Sequence, residues 1–298
     1  INAEFDKKVE QVTKQFQETL QTGLKDLVEE SKKEVVKTVE TNKREREKSV
    51  IEEGIRNHLR GFSRTIPSFL MAYGNDKVTL ATFDTVIPDK VFKEVTSITL
   101  DQFRFLRDGG SYEDPETGEQ REFSGQLFDP VVFDDSVKEF LALKKKLADY
   151  FDEKSVEDIF DYIPPQKTNQ IFTPKKMVKK MVDMLEEENP GCFDLPDKTF
   201  IDLYMKSGLY IAEIVKRLYQ SDEMKRLYPD KYDRLKHIFE KQVYGLAPTE
   251  IIYKIATSYI LGFDEDVKIT HHNFKQVDAL PYAKDGSLQR KLDEIYGD

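Results

Sequence analysis

The sequence predicts an α/β fold: a mainly α-helical domain over residues 1–151, then part of a parallel sheet covered by helices over residues 152–298. Three observations carry this. Residues 1–60 hold almost no helix breakers and repeat apolar side chains every three or four positions. Thr199-Phe-Ile-Asp-Leu-Tyr-Met-Lys-Ser-Gly208 reads as a short buried strand and a tight turn, and an amphipathic helix follows to Leu218. Strand-like and helix-like segments then alternate, the order that builds a parallel sheet with both faces covered.

Phe5, Val9, Val12, Phe16, Leu20, Leu24 and Leu27 mark one face of a long helix. Val35, Val39, Val50, Ile51 and Ile55 continue it less regularly, around the mixed-charge run Asn42–Lys48. Such helices form hairpins, coiled coils or spacers between domains. Residues 61–110 read as short helices broken by Pro and Gly. Asp108–Glu119 is dense in turn residues and predicts a loop. Asp134 or Asp135 is expected to cap a strong helix carrying Val137, Phe140, Leu141, Leu143, Leu147 and Phe151.

A second unit opens near residue 152. Ser155–Tyr162 reads as a short helix stopped by Pro164-Pro165. Thr173 is expected to cap the next helix, with Pro174 as its first residue, and Met177, Val178, Met181, Val182 and Leu185 face inward. Strand 200–204, helix 209–220, a charged linker and helix 230–239 follow. Gln242–Gly245 predicts a second strand, and Pro248 opens a helix over Thr249–Leu261. Val267–Thr270 and Phe274–Val277 predict a third pair of strands.

Composition narrows the function classes. The net charge of -10 argues against a basic nucleic-acid surface over the whole chain, though not against a local patch. One cysteine, Cys192, excludes a disulfide framework and fits a reducing cytoplasm. No apolar run reaches membrane-spanning length. The chain starts at Ile1, within a helical pattern, and reads as a piece of a larger polypeptide. There is no phosphate loop of the Gly-Lys-Ser/Thr kind. His271-His272 lacks acidic or Cys partners at metal-ligand spacing. Lys175, Lys176, Lys179 and Lys180 share one helix and read as a solvated face or a DNA-phosphate contact.

Four segments, in order, resemble the S-adenosylmethionine half of an adenine-N6 DNA methyltransferase. Asp202-Leu-Tyr-Met-Lys-Ser-Gly208 matches the family's Asp-Pro-x-x-Gly-Ser/Thr-Gly at Asp202, Ser207 and Gly208. Lys206 replaces the first glycine, and a Lys held in a glycine conformation would carry roughly 1–3 kcal/mol of strain. Asn169-Gln-Ile-Phe-Thr-Pro174 is similar to the family's Gly-x-Phe/Tyr-Thr-Pro at Phe172, Thr173 and Pro174. There the resemblance implies contact with the cofactor's methionine end, where a helix amino terminus favours a carboxylate. After the second strand, Ala247 stands about where the family's ribose-binding acid belongs, and Glu250 is the nearest carboxylate. Asp278, in Gln276-Val-Asp-Ala-Leu280, resembles the acid that accepts from the cofactor's adenine amino group, or simply caps a turn.

The resemblance implies a partial Rossmann-like methyltransferase sheet with S-adenosylmethionine as cofactor and no metal. The family's Asn/Asp-Pro-Pro-Tyr/Phe motif, which directs the flipped adenine's amino nitrogen at the methyl, is absent from the sequence. The fragment is therefore expected to stop just before catalysis and to be inactive alone. Residues from about 45 to 165 also resemble, less specifically, the helical segment joining a helicase motor to a methyltransferase in large restriction-modification proteins. Implied partners are double-stranded DNA and helicase and nuclease domains in the same or an associated chain. Two alternatives stand beside this reading. One is a methyltransferase-like scaffold or DNA clamp without cofactor, and the other a methyltransferase acting on RNA or protein.

Overall fold

A computed structural model describes residues 61–113, 118–152, 157–164 and 171–297. The long helix expected over residues 1–60, residues 169 and 170 of the Thr-Pro segment and the start of the Ser155–Tyr162 segment lie outside the described residues.

The first region is a set of helices around a cluster of phenylalanines. Its elements are α1 (Ile66–Tyr73), the one-turn α2 (Phe83–Val86), α3 (Asp89–Thr96), α4 (Leu100–Asp108) and α5 (Pro130–Lys146). Phe69, Phe83, Phe92 and Phe103 are almost fully buried, and their rings meet edge-on, stacked or tilted at 5.4–6.5 Å. A reciprocal capping box starts α4: Thr99 Oγ1 accepts from the Gln102 N–H while Gln102 Oε1 accepts from the Thr99 N–H. The helix expected to be capped by Asp134 or Asp135 begins earlier. Asp129 caps it, with Pro130 at its first position, because the Asp129 carboxylate accepts from the Val131 and Val132 N–H groups. Asp134 instead accepts from the Leu80 N–H at 2.7 Å.

The loop expected over 108–119 is partly a hairpin. Strands β1 (Gly110–Glu113) and β2 (Gln120–Phe123) pair antiparallel, with Gly110 opposite Phe123. Its polar residues alternate in exposure, a period too short to read beside so many turn residues.

The second region is α/β. A 3₁₀ turn (Ile159–Tyr162) leads to α6 (Lys175–Glu188), β3 (Phe200–Asp202), α7 (Leu209–Gln220), α8 (Asp222–Leu227) and α9 (Lys231–His237). A π turn (Ile238–Gln242), β4 (Val243–Ala247), α10 (Glu250–Leu261), β5 (Asn273–Gln276), α11 (Leu280–Asp285) and α12 (Leu288–Tyr296) complete it. The three strands are parallel in the order β3-β4-β5. The fold class read from the sequence thus holds, with local corrections. The charged linker after α7 contains α8, capped by Ser221. Residues 267–270 form no strand, so β5 stands alone as the third. Pro174 is not the first residue of α6. Its carbonyl accepts from the Met177 and Val178 N–H groups, which makes it the residue before the helix, and Thr173 caps nothing.

The helical region packs on the sheet region through α1 and α10, and the buried residues of both belong to one continuous core. Polar contacts cross the joint as well: Tyr73 donates to Glu250 Oε1 at 3.2 Å, buried Tyr150 donates to the Ile260 carbonyl at 2.9 Å, and Lys145 pairs with Glu265 at 2.9 Å. Among the described residues no helix is long and apolar enough to cross a membrane.

Candidate functional site

The segment between β3 and α7 folds over the carboxyl end of the sheet. Met205 donates its N–H to the Leu246 carbonyl at 2.7 Å and lays its side chain on Gly245 of β4. Any Cβ at 245 would collide with the Met205 sulfur, so the glycine makes room for the loop. The loop ends at Gly208, with φ of +86°, where a Cβ would meet the Ile260 side chain at 2.8 Å. That close approach seats the first turn of α7 directly on α10. Lys206 has an ordinary backbone: among described non-glycine residues only Ser97 and Gln126 have positive φ. The expected strain at Lys206 is therefore absent, because the turn places its left-handed residue at 208 instead.

This geometry opens a cavity of about 120 Å³ lined by Thr173, Asp202, Tyr204, Lys206, Ser207, Gly208 and Tyr210. Thr173, from one motif, thus meets Asp202, Ser207 and Gly208 from the other. Lys206 Nζ spans the two segments and donates to the Ile171 carbonyl at 3.4 Å. Tyr210 of α7 donates to the Met181 sulfur of α6 at 2.8 Å. Arg217 of α7 reaches Asp183 and Glu186 of α6 as well as Glu213, so helices α6 and α7 are held together beneath the cavity.

Asp202 Oδ1 accepts from the Tyr204 N–H at 2.9 Å, a local turn that aims the loop. Burial pushes the Asp202 carboxyl above the usual carboxylate range, and the bond from Tyr204 offsets only part of this. A half-buried acid of this kind favours a cationic partner. Ser207 Oγ accepts from the Leu209 N–H at 3.2 Å. No side chain caps α6, so its amino terminus, with outward N–H groups and a positive dipole end, stands beside Thr173.

The other anticipated residues do not line this cavity. Phe172 packs on the Phe160 ring at 4.9 Å and anchors the segment. Pro174 precedes α6. Glu250 is the first residue of α10 and is engaged by Tyr73. Asp278 is exposed and accepts from the Leu280 N–H at 3.0 Å, the turn-capping bond. It is nonetheless close to the cavity: after burial, the Asp278 charge helps raise the Tyr204 hydroxyl above its ordinary value. Tyr204 and Tyr210 were not anticipated from the sequence. Their signal is position, within eight residues of Asp202: Tyr204 in the loop the fold bends back on itself and Tyr210 in the first turn of α7. Among the described residues no group of three His, Cys, Asp or Glu is arranged to hold a metal ion.

A protein of Mycoplasma pneumoniae named an uncharacterized adenine-specific methylase is 28% identical to the chain over 98 residues. The match covers 33% of this chain and 23% of that protein, so the chain spans about a quarter of the relative's length. No family model matches the chain, and no solved structure does.

Proposed function

We propose that the chain is the S-adenosylmethionine-binding part of a methyltransferase whose target is the N6 amino group of adenine in double-stranded DNA. The carrying observation is the cavity that joins Thr173 to Asp202, Ser207 and Gly208 at the carboxyl end of β3. Ligands of open parallel sheets bind at that end. The residues suit the cofactor's amino-acid end. Asp202 offers a half-buried carboxylate to an ammonium, and the uncapped end of α6 beside Thr173 suits a carboxylate. Gly208 keeps the loop close, and Tyr204, which lines the cavity, feels the Asp278 charge. When bound, S-adenosylmethionine supplies an electrophilic methyl group. The named relative, an adenine-specific methylase by its description, supports the target.

In this reading residues 1–151 couple the methyltransferase part to helicase and nuclease partners of a restriction-modification protein. The resemblance noted in the sequence is its support. A calorimetric titration of the chain with S-adenosylmethionine tests the binding step. Saturable one-to-one binding, weakened at least about tenfold (1.4 kcal/mol) by Asp202→Asn, is the expected outcome.

A second reading has its own observation. Ala247 stands about where the family pattern has its ribose-binding acid, and Glu250 is already engaged by Tyr73. These favour a methyltransferase-like scaffold that holds DNA without cofactor. Absence of binding at millimolar S-adenosylmethionine by a folded chain would sink the first reading and leave this one.

A further inference from the structure

At the opposite, amino-terminal end of the sheet lies an open cleft of about 650 Å³, lined by Lys236, Glu240, Thr270, His271, His272, Asn273 and Lys275. Two lysines and two histidines there face one carboxylate, in a chain whose net charge is -10. The walls are built rather than loose. Asn273 Nδ2 donates to the carbonyls of Phe239, Glu240 and Val243 at 3.3, 3.0 and 3.4 Å, which locks the start of β5 under the π turn. A π turn is an uncommon element, found often at functional sites. His272 stacks on Phe274, and its Nδ1 accepts from the Phe274 N–H at 3.2 Å. That bond leaves Nε2 as the protonated ring nitrogen, a donor. His271 lies between Thr270 Oγ1 at 3.0 Å and Glu240 at 3.9 Å.

We propose that this cleft binds a phosphate group, with Lys236 and Lys275 supplying charge and the His271 and His272 rings supplying N–H donors. The donor set is wrong for a metal ion, since His272 Nδ1 is already engaged and both lysines repel a cation. It suits an anion that takes several N–H donors at once. Burial, and then the neighbouring charges of Lys275 and His271, hold the His272 imidazole below its usual range, and a bound anion would reverse the second effect.

The experiment is a titration followed by the histidine ring resonances of the whole chain. One arm uses inorganic phosphate and the other a duplex of about 20 base pairs at several salt concentrations. Saturable shifts of His271 and His272, with His58 and His237 unmoved, are expected. They should weaken at least about fivefold in Lys236→Gln/Lys275→Gln, two exposed positions whose change spares the core. If the source of the phosphate is nucleic acid, the duplex produces these shifts far below the phosphate concentration needed, and the double variant lowers the salt slope by about 2. Shifts with inorganic phosphate alone assign a small phosphorylated ligand. Shifts in neither arm, or shifts that persist in the double variant, overturn the proposal. Because the cleft is remote from the cofactor cavity, S-adenosylmethionine binding by the same samples reports on the proposed function separately.

Discussion

Lys206 Nζ donates to the Ile171 carbonyl at 3.4 Å, which ties the loop after β3 to the segment before α6. Those segments are 35 residues apart in sequence and meet at the cavity. The lysine stands where the methyltransferase pattern has glycine, yet its backbone is unstrained and its ammonium borders the site. Lys206→Ala should therefore leave the fold intact, with a stability change within about 0.5 kcal/mol. It should weaken S-adenosylmethionine binding by roughly fivefold, and Lys206→Glu by more, since a carboxylate there repels the cofactor's own. Calorimetry on both variants checks the order.

Gly208 combines a positive φ with a wall on its Cβ side. Gly208→Ala should cost about 1–3 kcal/mol in unfolding free energy, because the methyl must adopt a left-handed backbone and press on Ile260. Urea melts read the stability loss, and the shifted start of α7 should show as weakened cofactor binding.

Asp202 sets stability against binding. Its folded pKa is raised, so the folded chain takes up a proton more readily than the unfolded one. The carboxylate's contribution to stability is then most favourable when protonated and falls as pH rises through the folded pKa. Asp202→Asn keeps the turn acceptor for Tyr204 without a partly desolvated charge. It should raise the melting temperature near neutral pH and weaken cofactor binding in the same sample. A lower melting temperature with unchanged affinity would remove Asp202 from the site. In the native chain affinity should fall on acidification at a pH above the usual carboxylate range.

Lys144 caps the end of α1 by donating to the Leu70 and Met71 carbonyls at 3.3 and 2.9 Å, and burial pushes its pKa down to about 8 from 10.5. Between those values the unfolded chain holds the extra proton. The sign is therefore a rise in stability with pH across that window. The native chain should gain stability relative to Lys144→Met between about pH 8 and about pH 10.5 in parallel urea melts. A constant difference would show that the ammonium is solvated.

The parallel sheet was legible because each strand is bounded by turn residues and followed by an amphipathic helix. The motif positions Asp202, Ser207, Gly208 and Thr173 were legible as residue types at a spacing. What the sequence could not reveal is where side chains go once the loop folds back. Met205 seals the loop on Gly245, which reads locally as any strand glycine. Tyr204 and Tyr210 enter the cavity through that fold-back. Glu250 was chosen for proximity in sequence, but α10 turns it toward Tyr73 of α1, a contact 177 residues away. The β1–β2 hairpin was hidden by its glycines and acids, which signal turns more strongly than its short alternation signals strands.

Amide hydrogen exchange with and without S-adenosylmethionine tests most directly whether the two segments, distant in sequence, form one cofactor site. Joint protection of residues 171–177 and 203–210 by the cofactor is the predicted result. Protection of neither segment, or of one without the other, would contradict it.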